Sequence, residues 1–105
     1  MPISLNMSNF QRTIDDNPLV VVRFSATWCN PCKMFAPIFD RVAARSSSVV
    51  FGIVDIDKEK ALAKYFDVKA VPTTVFIRNA EVIEKVSAVL TDKELDAHVR
   101  ALAVT

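Results

Sequence analysis

Residues 19–37 read L-V-V-V-R-F-S-A-T-W-C-N-P-C-K-M-F-A-P, where a strand pattern passes directly into a helix pattern. Its first part is β-branched and nearly continuous in apolar residues, as expected of a strand that is covered on both faces. Apolar residues then recur at helical spacing from Pro31 to about Arg45, so a helix follows the strand. Cys29 and Cys32 lie at the junction. Because ligands on α/β sheets bind at the carboxyl ends of the strands, we expect the functional site there.

The segments on either side of this unit alternate between strand and helix patterns. Further strands are predicted at residues 3–5, 49–54, 73–78 and 81–89, and further helices at residues 8–16, 58–66 and from Thr91 onward. The predicted helix starts are the capping boxes Ser8/Gln11 and Thr91/Glu94 and the N-cap residue Asp57. The helices are predicted to bury Met34, Phe35, Ile38, Phe39 and Val42, then Ala61, Leu62 and Tyr65 or Phe66, and finally Leu95, Val99 and Leu102. The order β-α-β-α-β-α-β-β-α implies an α/β fold, a mixed sheet with helices on both faces.

Composition limits the class of protein. The chain has 105 residues, which fit one domain, residues 1–105. A formal net charge of +1 gives no electrostatic case for binding nucleic acid or an acidic membrane surface. The first residues do not show the basic start and following apolar run that are typical of a secretory signal peptide. No stretch approaches the ~20 consecutive apolar residues of a membrane-spanning helix. We therefore expect a soluble, cytoplasmic protein in a compartment that keeps thiols reduced.

The chain contains only two cysteines, and their spacing favours redox or metal chemistry. A disulfide across so small a loop would constrain the unfolded chain very little, so a structural staple is a poor explanation. Two incidental buried thiols are the remaining structural alternative. Structural zinc takes four ligands, and the chain offers only Cys29, Cys32 and the distant His98. His98 is better explained as a boundary residue of the last helix, so we expect no metal.

The position of the cysteines predicts their chemistry. Residues three apart on a helix are neighbours, so Cys29 and Cys32 are within disulfide reach. Pro31 suits the first helical position, because its missing N–H would be unpaired there. Cys29 then precedes the helix, where free N–H groups and the helix dipole favour negative charge. Lowering a thiol pKa from ~8.5 to ~7 raises its ionised fraction at neutral pH from ~3% to about half. We therefore expect Cys29 to be the nucleophile and Cys32 the resolving thiol.

The stretch from Val20 to Pro37 resembles the active-site segment of the thioredoxin family, with W-C-N-P-C-K at its centre. The resemblance continues through V-D-I-D at 54–57, Y-F-D-V-K-A-V-P-T at 65–73 and F-I-R-N at 76–79, and so covers essentially the whole chain. W-C-x-P-C-K followed by V-P-T is a highly specific combination. It implies a thioredoxin fold, a central mixed sheet of four to five strands flanked by four helices. It also implies a thiol–disulfide oxidoreductase with no bound cofactor, whose redox-active disulfide is Cys29–Cys32.

The resemblance assigns further residues to the site. Trp28 would cover the dithiol, where the alternative is a tryptophan of the core. Pro72 would follow a cis peptide bond opposite the disulfide, although only about 5% of X–Pro bonds are cis in folded proteins. Val71 would present its main chain to an extended substrate, a small case of strand addition. Trp28, Ala70, Val71 and Ala88 would form the apolar contact surface.

The chain departs from the family pattern at several positions. Arg23 stands where the family usually has a buried acid, and Ile53 stands where a partner lysine is frequent. An unpaired arginine in the sheet costs several kcal/mol, so Arg23 must reach water, pair with an acid or face the dithiol. We hypothesise that Arg23 favours the thiolates, and the alternative is an arginine extending to solvent. Asn30, where glycine is typical, is a second candidate for tuning the redox potential. Ser87 and Ala80 also replace common glycines. Ser87 adds a side chain beside the substrate groove and either narrows the range of accepted partners or is neutral, and Ala80 is a candidate for positive φ.

Three functions remain compatible with the sequence. The first is a reductase of protein disulfides that takes part in electron transport and cell redox homeostasis, with thioredoxin reductase as the electron donor. The second is a protein disulfide oxidase or isomerase. The lack of a secretory signal peptide pattern argues against it, whereas Arg23 and Asn30 keep it open. The third is a non-catalytic binding or chaperone subunit, which the intact Cys29–Cys32 pair with Pro72 argues against. We expect the first, acting as a monomer.

Overall fold

Residues 1–104, which the computed structural model describes, fold in the element order that the sequence patterns predict. The strands are β1 (Ile3–Ser4), β2 (Leu19–Ser25), β3 (Val50–Asp55), β4 (Thr73–Arg78) and β5 (Glu81–Val86). The helices are α1 (Phe10–Asp16), α2 (Asn30–Ala44), α3 (Lys60–Tyr65) and α4 (Asp92–Val104). The second strand of the hairpin ends at Val86, earlier than the predicted residue 89. None of these helices is both long and apolar enough to span a lipid bilayer.

The five strands form one mixed sheet in the order β1-β3-β2-β4-β5. Strands β1, β3 and β2 run parallel, whereas β4 is antiparallel to β2 and to β5. The predicted mixed sheet with helices on both faces is therefore confirmed. Strand β2 is central, which explains why its sequence is apolar almost throughout. Its carboxyl end leads directly into the cysteine motif.

The two faces of the sheet carry separate hydrophobic cores. One face packs against α2 and α4 and buries Val21, Phe35, Phe39, Val42, Phe51, Phe76, Leu95, Val99 and Leu102. The other packs against α1 and α3 and buries Leu5, Phe10, Ile14, Val20, Val22, Phe24, Val54, Leu62 and Phe66. The prediction that Met34 is buried is wrong, because it is 67% exposed on the outer side of α2. The prediction that Ala61 faces inward is also wrong, because it is exposed. Tyr65 is exposed as well, so Phe66 supplies the inward-facing ring at the end of α3.

Two of the three predicted helix starts are wrong. Before α1, Asn6 and Asn9 form the reciprocal pair in place of Ser8: the Asn9 side chain accepts from the Asn6 N–H at 2.8 Å, and Asn6 accepts from the Asn9 N–H at 3.1 Å. Before α3, Asp55 accepts from the amides of the following turn, and Asp57 does not cap the helix. Several short polar side chains near each helix start are able to bond the free backbone amides, and the local path of the backbone determines which of them does so.

The predicted capping box before α4 is confirmed. Thr91 N–H donates to Glu94 Oε1 at 2.9 Å, and Glu94 N–H donates to Thr91 Oγ1 at 3.1 Å. The turn between β4 and β5 places Asn79 and Ala80 at φ of 51° and 65°. Positive φ at both central residues is typical of a tight two-residue hairpin turn. The left-handed conformation is unfavourable by about 1 kcal/mol or more for an alanine, because of its Cβ.

Candidate functional site

The cysteine motif lies where the central strand passes into the long helix. Strand β2 ends at Ser25, and Cys29 is the N-cap residue of α2. The helix begins at Asn30, so Pro31 is its second residue, one position later than predicted. The N–H of the second residue is still free in an α-helix, so a proline there removes no hydrogen bond. The strand and the helix therefore fix both ends of the motif.

Cys29 and Cys32 are joined by a disulfide, with their Cα atoms 5.2 Å apart. Both are buried, Cys29 with 4% and Cys32 with 1% of its surface exposed. The Cys29 Sγ accepts a hydrogen bond from the Cys32 N–H at 3.2 Å, as an N-cap side chain does. The same N–H and the positive end of the helix dipole would stabilise a thiolate at Cys29 after reduction. Which of the two sulfurs is the nucleophile stays a prediction.

A loop from the far side of the sheet approaches the disulfide. The Val71–Pro72 peptide bond is cis, as the resemblance implies, and Pro72 is buried. The carbonyl oxygen of Val71 lies 3.7 Å from the Cys29 Sγ. The Thr73 hydroxyl lies 2.6 Å from the Ala70 carbonyl, to which it donates, and 2.8 Å from the Ser87 hydroxyl. The segments around Val71 and Ser87 are thus tied together beside the dithiol.

Trp28 stands at the surface of the site. Its side chain is 64% exposed, so the alternative of a core tryptophan is wrong. The indole is held by a hydrogen bond from Nε1 to Asp57 Oδ2 at 2.8 Å. Sequence reasoning missed this role of Asp57, although the V-D-I-D match placed the residue at the carboxyl end of β3. An exposed indole fixed by a buttressing carboxylate forms a rigid apolar platform.

The other predicted contact residues differ in how far they are buried. Val71 is half-buried and packs against the two cysteines, whereas Ala70 and Ala88 are exposed. Val89, beside Ala88 in the chain, is also exposed, at 37%.

Arg23 is enclosed beneath α2, in the sheet. It is 6% exposed, so most of the side chain is enclosed, and it lines an open pocket beside the cysteine motif. Its guanidinium carbon lies 5.1 Å from the centroid of the Phe39 ring, and its Nε has no hydrogen-bond partner within residues 1–104. Burial lowers the pKa of Arg23 below its ordinary value, and the charge of Asp40 opposes this shift. Arg23 and Cys32 line the same cavity of about 380 Å³.

No group of three or more histidine, cysteine or acidic side chains within residues 1–104 is arranged to hold a metal ion. His98 lies on α4, where its Nδ1 is 2.8 Å from Glu84 Oε1 and its ring stacks on Phe76. His98 thus lies in the middle of α4, half-buried at the edge of the apolar face of that helix, as expected from its sequence context.

Comparisons with known proteins agree with this geometry. The family model described as Thioredoxin matches residues 1–101. Thioredoxin H4 of Arabidopsis thaliana is 47% identical over 72 residues, which are 68% of this chain and 60% of that protein. A thioredoxin H-type of Picea mariana is 38% identical over 96 residues, which are 91% of this chain and 76% of that protein. The chain thus spans about three fifths of the Arabidopsis relative and three quarters of the Picea one.

Solved structures show the same fold. A thioredoxin of Malassezia sympodialis superposes with a TM-score of 0.89 at 28% identity, over 99% of this chain and 92% of that one. A mutant thioredoxin of Halobacterium salinarum gives a TM-score of 0.91 at 26% identity, again over 99% and 92%. Family model, relatives, fold and the cysteine pair lead to one conclusion: the chain belongs to the thioredoxin family of thiol–disulfide oxidoreductases.

Proposed function

We propose that this protein reduces disulfide bonds in other proteins, with Cys29 as the nucleophile and Cys32 as the resolving thiol. The observation that carries the proposal is the placement of the Cys29 Sγ. It accepts the Cys32 N–H at the start of α2 and lies 3.7 Å from the Val71 carbonyl, and the residue before it, Trp28, is 64% exposed. A sulfur so placed is favoured as a thiolate, and its neighbours in the chain reach the protein surface.

The first step forms a mixed disulfide. The Cys29 thiolate attacks one sulfur of the substrate disulfide, and the substrate S–S bond breaks. The other substrate sulfur leaves as a thiolate and takes a proton from water. Cys29 is preferred over Cys32 for this step because its Sγ occupies the N-cap position, where the unpaired amides of α2 point.

The second step releases the product. Cys32, deprotonated, attacks the Cys29 Sγ, the mixed disulfide breaks, and the remaining substrate sulfur leaves as a thiolate. The substrate has gained two electrons, and the protein is left with the Cys29–Cys32 disulfide, the state that the structure describes. A Cα–Cα separation of 5.2 Å lies within the ordinary disulfide range, so this exchange needs little backbone movement.

The substrate docks as an extended segment beside Val71. The Val71 N–H has no hydrogen-bond partner within residues 1–104, so it is free to pair with a substrate carbonyl. Main-chain pairing gives affinity without demanding a particular sequence, which suits a reductase of many proteins. Trp28, Ala70 and Ala88 supply the surrounding apolar contact, and Pro72 holds the loop in place.

Arg23 and Asn30 tune the redox potential in this proposal. Arg23 lines the cavity behind Cys32, and a cation there favours the thiolate form and so the reduced state. Asn30 is the first helical residue and is exposed between the two cysteines. The protein acts as a monomer in the cytoplasm, where thioredoxin reductase returns the two electrons as part of electron transport and cell redox homeostasis. It needs no bound cofactor beyond the cysteine pair, within a single domain of residues 1–105.

A trapping experiment tests the assignment of the two sulfurs. Cys32→Ser removes the resolving thiol and leaves the nucleophile, so it is expected to accumulate a covalent adduct with insulin or another disulfide-containing protein. The matched control is Cys29→Ser, which is expected to trap nothing. Adducts on non-reducing gels that form with Cys29→Ser, and not with Cys32→Ser, would reverse the assignment.

The reduction potential distinguishes the reductase from the oxidase or isomerase. A value near the ~−270 mV typical of reducing thioredoxins supports the reductase, and a value near ~−180 mV supports the isomerase. Acceleration of insulin reduction with dithiothreitol as donor is expected; no acceleration over dithiothreitol alone would favour the non-catalytic binding subunit.

A further inference from the structure

Among residues 1–104, the Arg23 guanidinium has no anionic side chain in contact with it. Within residues 1–104 it makes no hydrogen bond and no ion pair, and its Nε is fully enclosed. The Phe39 ring, 5.1 Å from the guanidinium carbon, offsets only part of the desolvation. Nε is the one guanidinium nitrogen that is fully enclosed, so the two terminal nitrogens, which have no partner within residues 1–104, are open to water or to an anion.

Arg23 lines an open cavity of about 380 Å³ beside Cys32. This volume holds several water molecules of ~30 Å³ each, or one small anion with its remaining hydration. The cavity wall carries a second cation, Lys33, and the hydroxyl-bearing residues Ser25 and Thr27. Asp55 also lines it, but its Oδ1 already accepts from the amides of the turn that follows β3. The lining thus has more donors than acceptors, and its net charge is positive.

We propose that this cavity binds a small oxyanion, a phosphate or a carboxylate, on the Arg23 guanidinium. The planar fork of a guanidinium matches two oxygens of such an anion, which a spherical halide cannot reproduce. Lys33 and the hydroxyls of Ser25 and Thr27 complete the donor set.

The site is coupled to the redox state through Cys32, which lines the same cavity. In the disulfide form Cys32 is neutral, whereas reduction allows a thiolate to form there. A bound anion repels that thiolate and neutralises the cation that would favour it, so the anion binds the oxidised protein more tightly. Because coupling is reciprocal, the same anion favours the disulfide and makes the protein a stronger reductant. This redox link rests on the proposed function, whereas the binding site itself does not.

Binding is tested on the oxidised protein, without any reaction. Inorganic phosphate, acetate and chloride are titrated in turn at a constant ionic strength of about 0.15 M, and NMR follows the Arg23 Nε–H and the Cys32 amide. Saturable shifts with phosphate or with acetate are expected, and the anion that saturates first identifies the source. Chloride is expected to give none. Shifts that fail to saturate with both oxyanions, or that match those of chloride, would overturn the site.

Two variants locate the site. Arg23→Met removes the guanidinium and keeps a side chain of similar length, and it is expected to abolish the saturable shifts. Arg12→Met is the matched control, since it removes an exposed guanidinium on α1, and it is expected to bind as the wild type does. Equal saturable binding by Arg23→Met would refute the assignment. If Arg23→Met does not fold, the Arg23 Nε–H of the wild type still gives the answer.

The redox link has its own readout. At a fixed ratio of reduced to oxidised dithiothreitol, the saturating anion is expected to shift the ratio of disulfide to dithiol protein about fivefold towards the disulfide. The shift is expected in Arg12→Met and absent in Arg23→Met. Saturable binding with an unchanged ratio would overturn the link, and it would leave the proposed reductase activity, which is measured with insulin, unaffected.

Discussion

An added methyl group at Gly52 tests how tightly β1 is packed onto the sheet. Gly52 is the only glycine of the chain and lies in β3, opposite Ile3 of β1 and Val22 of β2. A Cβ at this position would overlap the Leu5 side chain, with Cδ1 the nearest atom and Cγ at 2.9 Å. Leu5 is 2% exposed, and its N–H donates to the Ile53 carbonyl at 2.8 Å. The leucine therefore has neither space nor backbone freedom to move aside.

The expected loss of stability follows from two opposing effects. Forcing a methyl group into a packed core costs about 1–3 kcal/mol. Replacing glycine by alanine also restricts the unfolded chain, which returns about 0.4–1 kcal/mol. We therefore expect Gly52→Ala to lower the free energy of unfolding by about 1–2 kcal/mol. For a chain of this size, that loss lowers the Tm by roughly 5–15 °C.

Urea unfolding of the oxidised protein, followed by circular dichroism, measures the effect. Leu5→Ala alone should cost about 2–5 kcal/mol, but in the double variant the new methyl group fills part of the space that Leu5 leaves. The two losses should therefore fall short of additivity by about 1 kcal/mol. The control pairs Gly52→Ala with Val99→Ala in the opposite core, where the losses should add within about 0.5 kcal/mol. A Gly52→Ala variant as stable as the wild type, or strict additivity with Leu5→Ala, would refute the reasoning.

Three further predictions concern local features. Ala80→Gly should stabilise the fold by up to about 1 kcal/mol, because Ala80 has a φ of 65°; a lower urea midpoint than the wild type would contradict this. The hydrogen bond from the Thr91 N–H holds the pKa of Glu94 below its ordinary value, so the carboxylate contributes stability above about pH 4 that is lost as the pH falls through the lowered pKa. Urea midpoints near pH 6 and about pH 3 should therefore differ less in Glu94→Gln than in the wild type, and equal differences would show that the capping box has no such role. Asp57→Ala frees the Trp28 indole and should lower kcat/KM for insulin by roughly fivefold, or about 1 kcal/mol, together with the fluorescence anisotropy of Trp28. A lower anisotropy with unchanged kcat/KM would remove Trp28 from substrate binding.

Local patterns predicted most of the fold because they concern neighbouring residues. The apolar run of β2, the helical spacing of α2 and the reciprocal pair Thr91/Glu94 are all properties of short segments, and the structure contains each of them. Local patterns do not identify the capping residue where several suitable side chains lie within a few residues of each other. Asn6 and Asn9 form the cap that was assigned to Ser8, since all three have side chains suited to it.

Some features of the candidate site are local in the sequence, and others depend on contacts between distant segments. The sequence predicted the disulfide pair and its place before α2, because strand end, N-cap and cysteine spacing are adjacent in the chain. It could not predict the contact of Cys29 with Val71, which depends on a loop that arrives from across the sheet. The hydrogen bond between Trp28 and Asp57 joins two strand ends, and it likewise exists only after β2 and β3 have paired.

The order of elements, the redox chemistry of Cys29 and Cys32 and the family could all be predicted from the sequence. The exposure of Trp28, and the enclosure of Arg23 beside Cys32 with no ion pair among residues 1–104, became clear only in the folded chain. The reason is that burial is set by every segment that packs around a residue, and those segments are distant in the chain. A periodic pattern predicts which face of its own helix or strand a side chain lies on. The charged groups and the free space around that side chain belong to segments that are distant in the sequence.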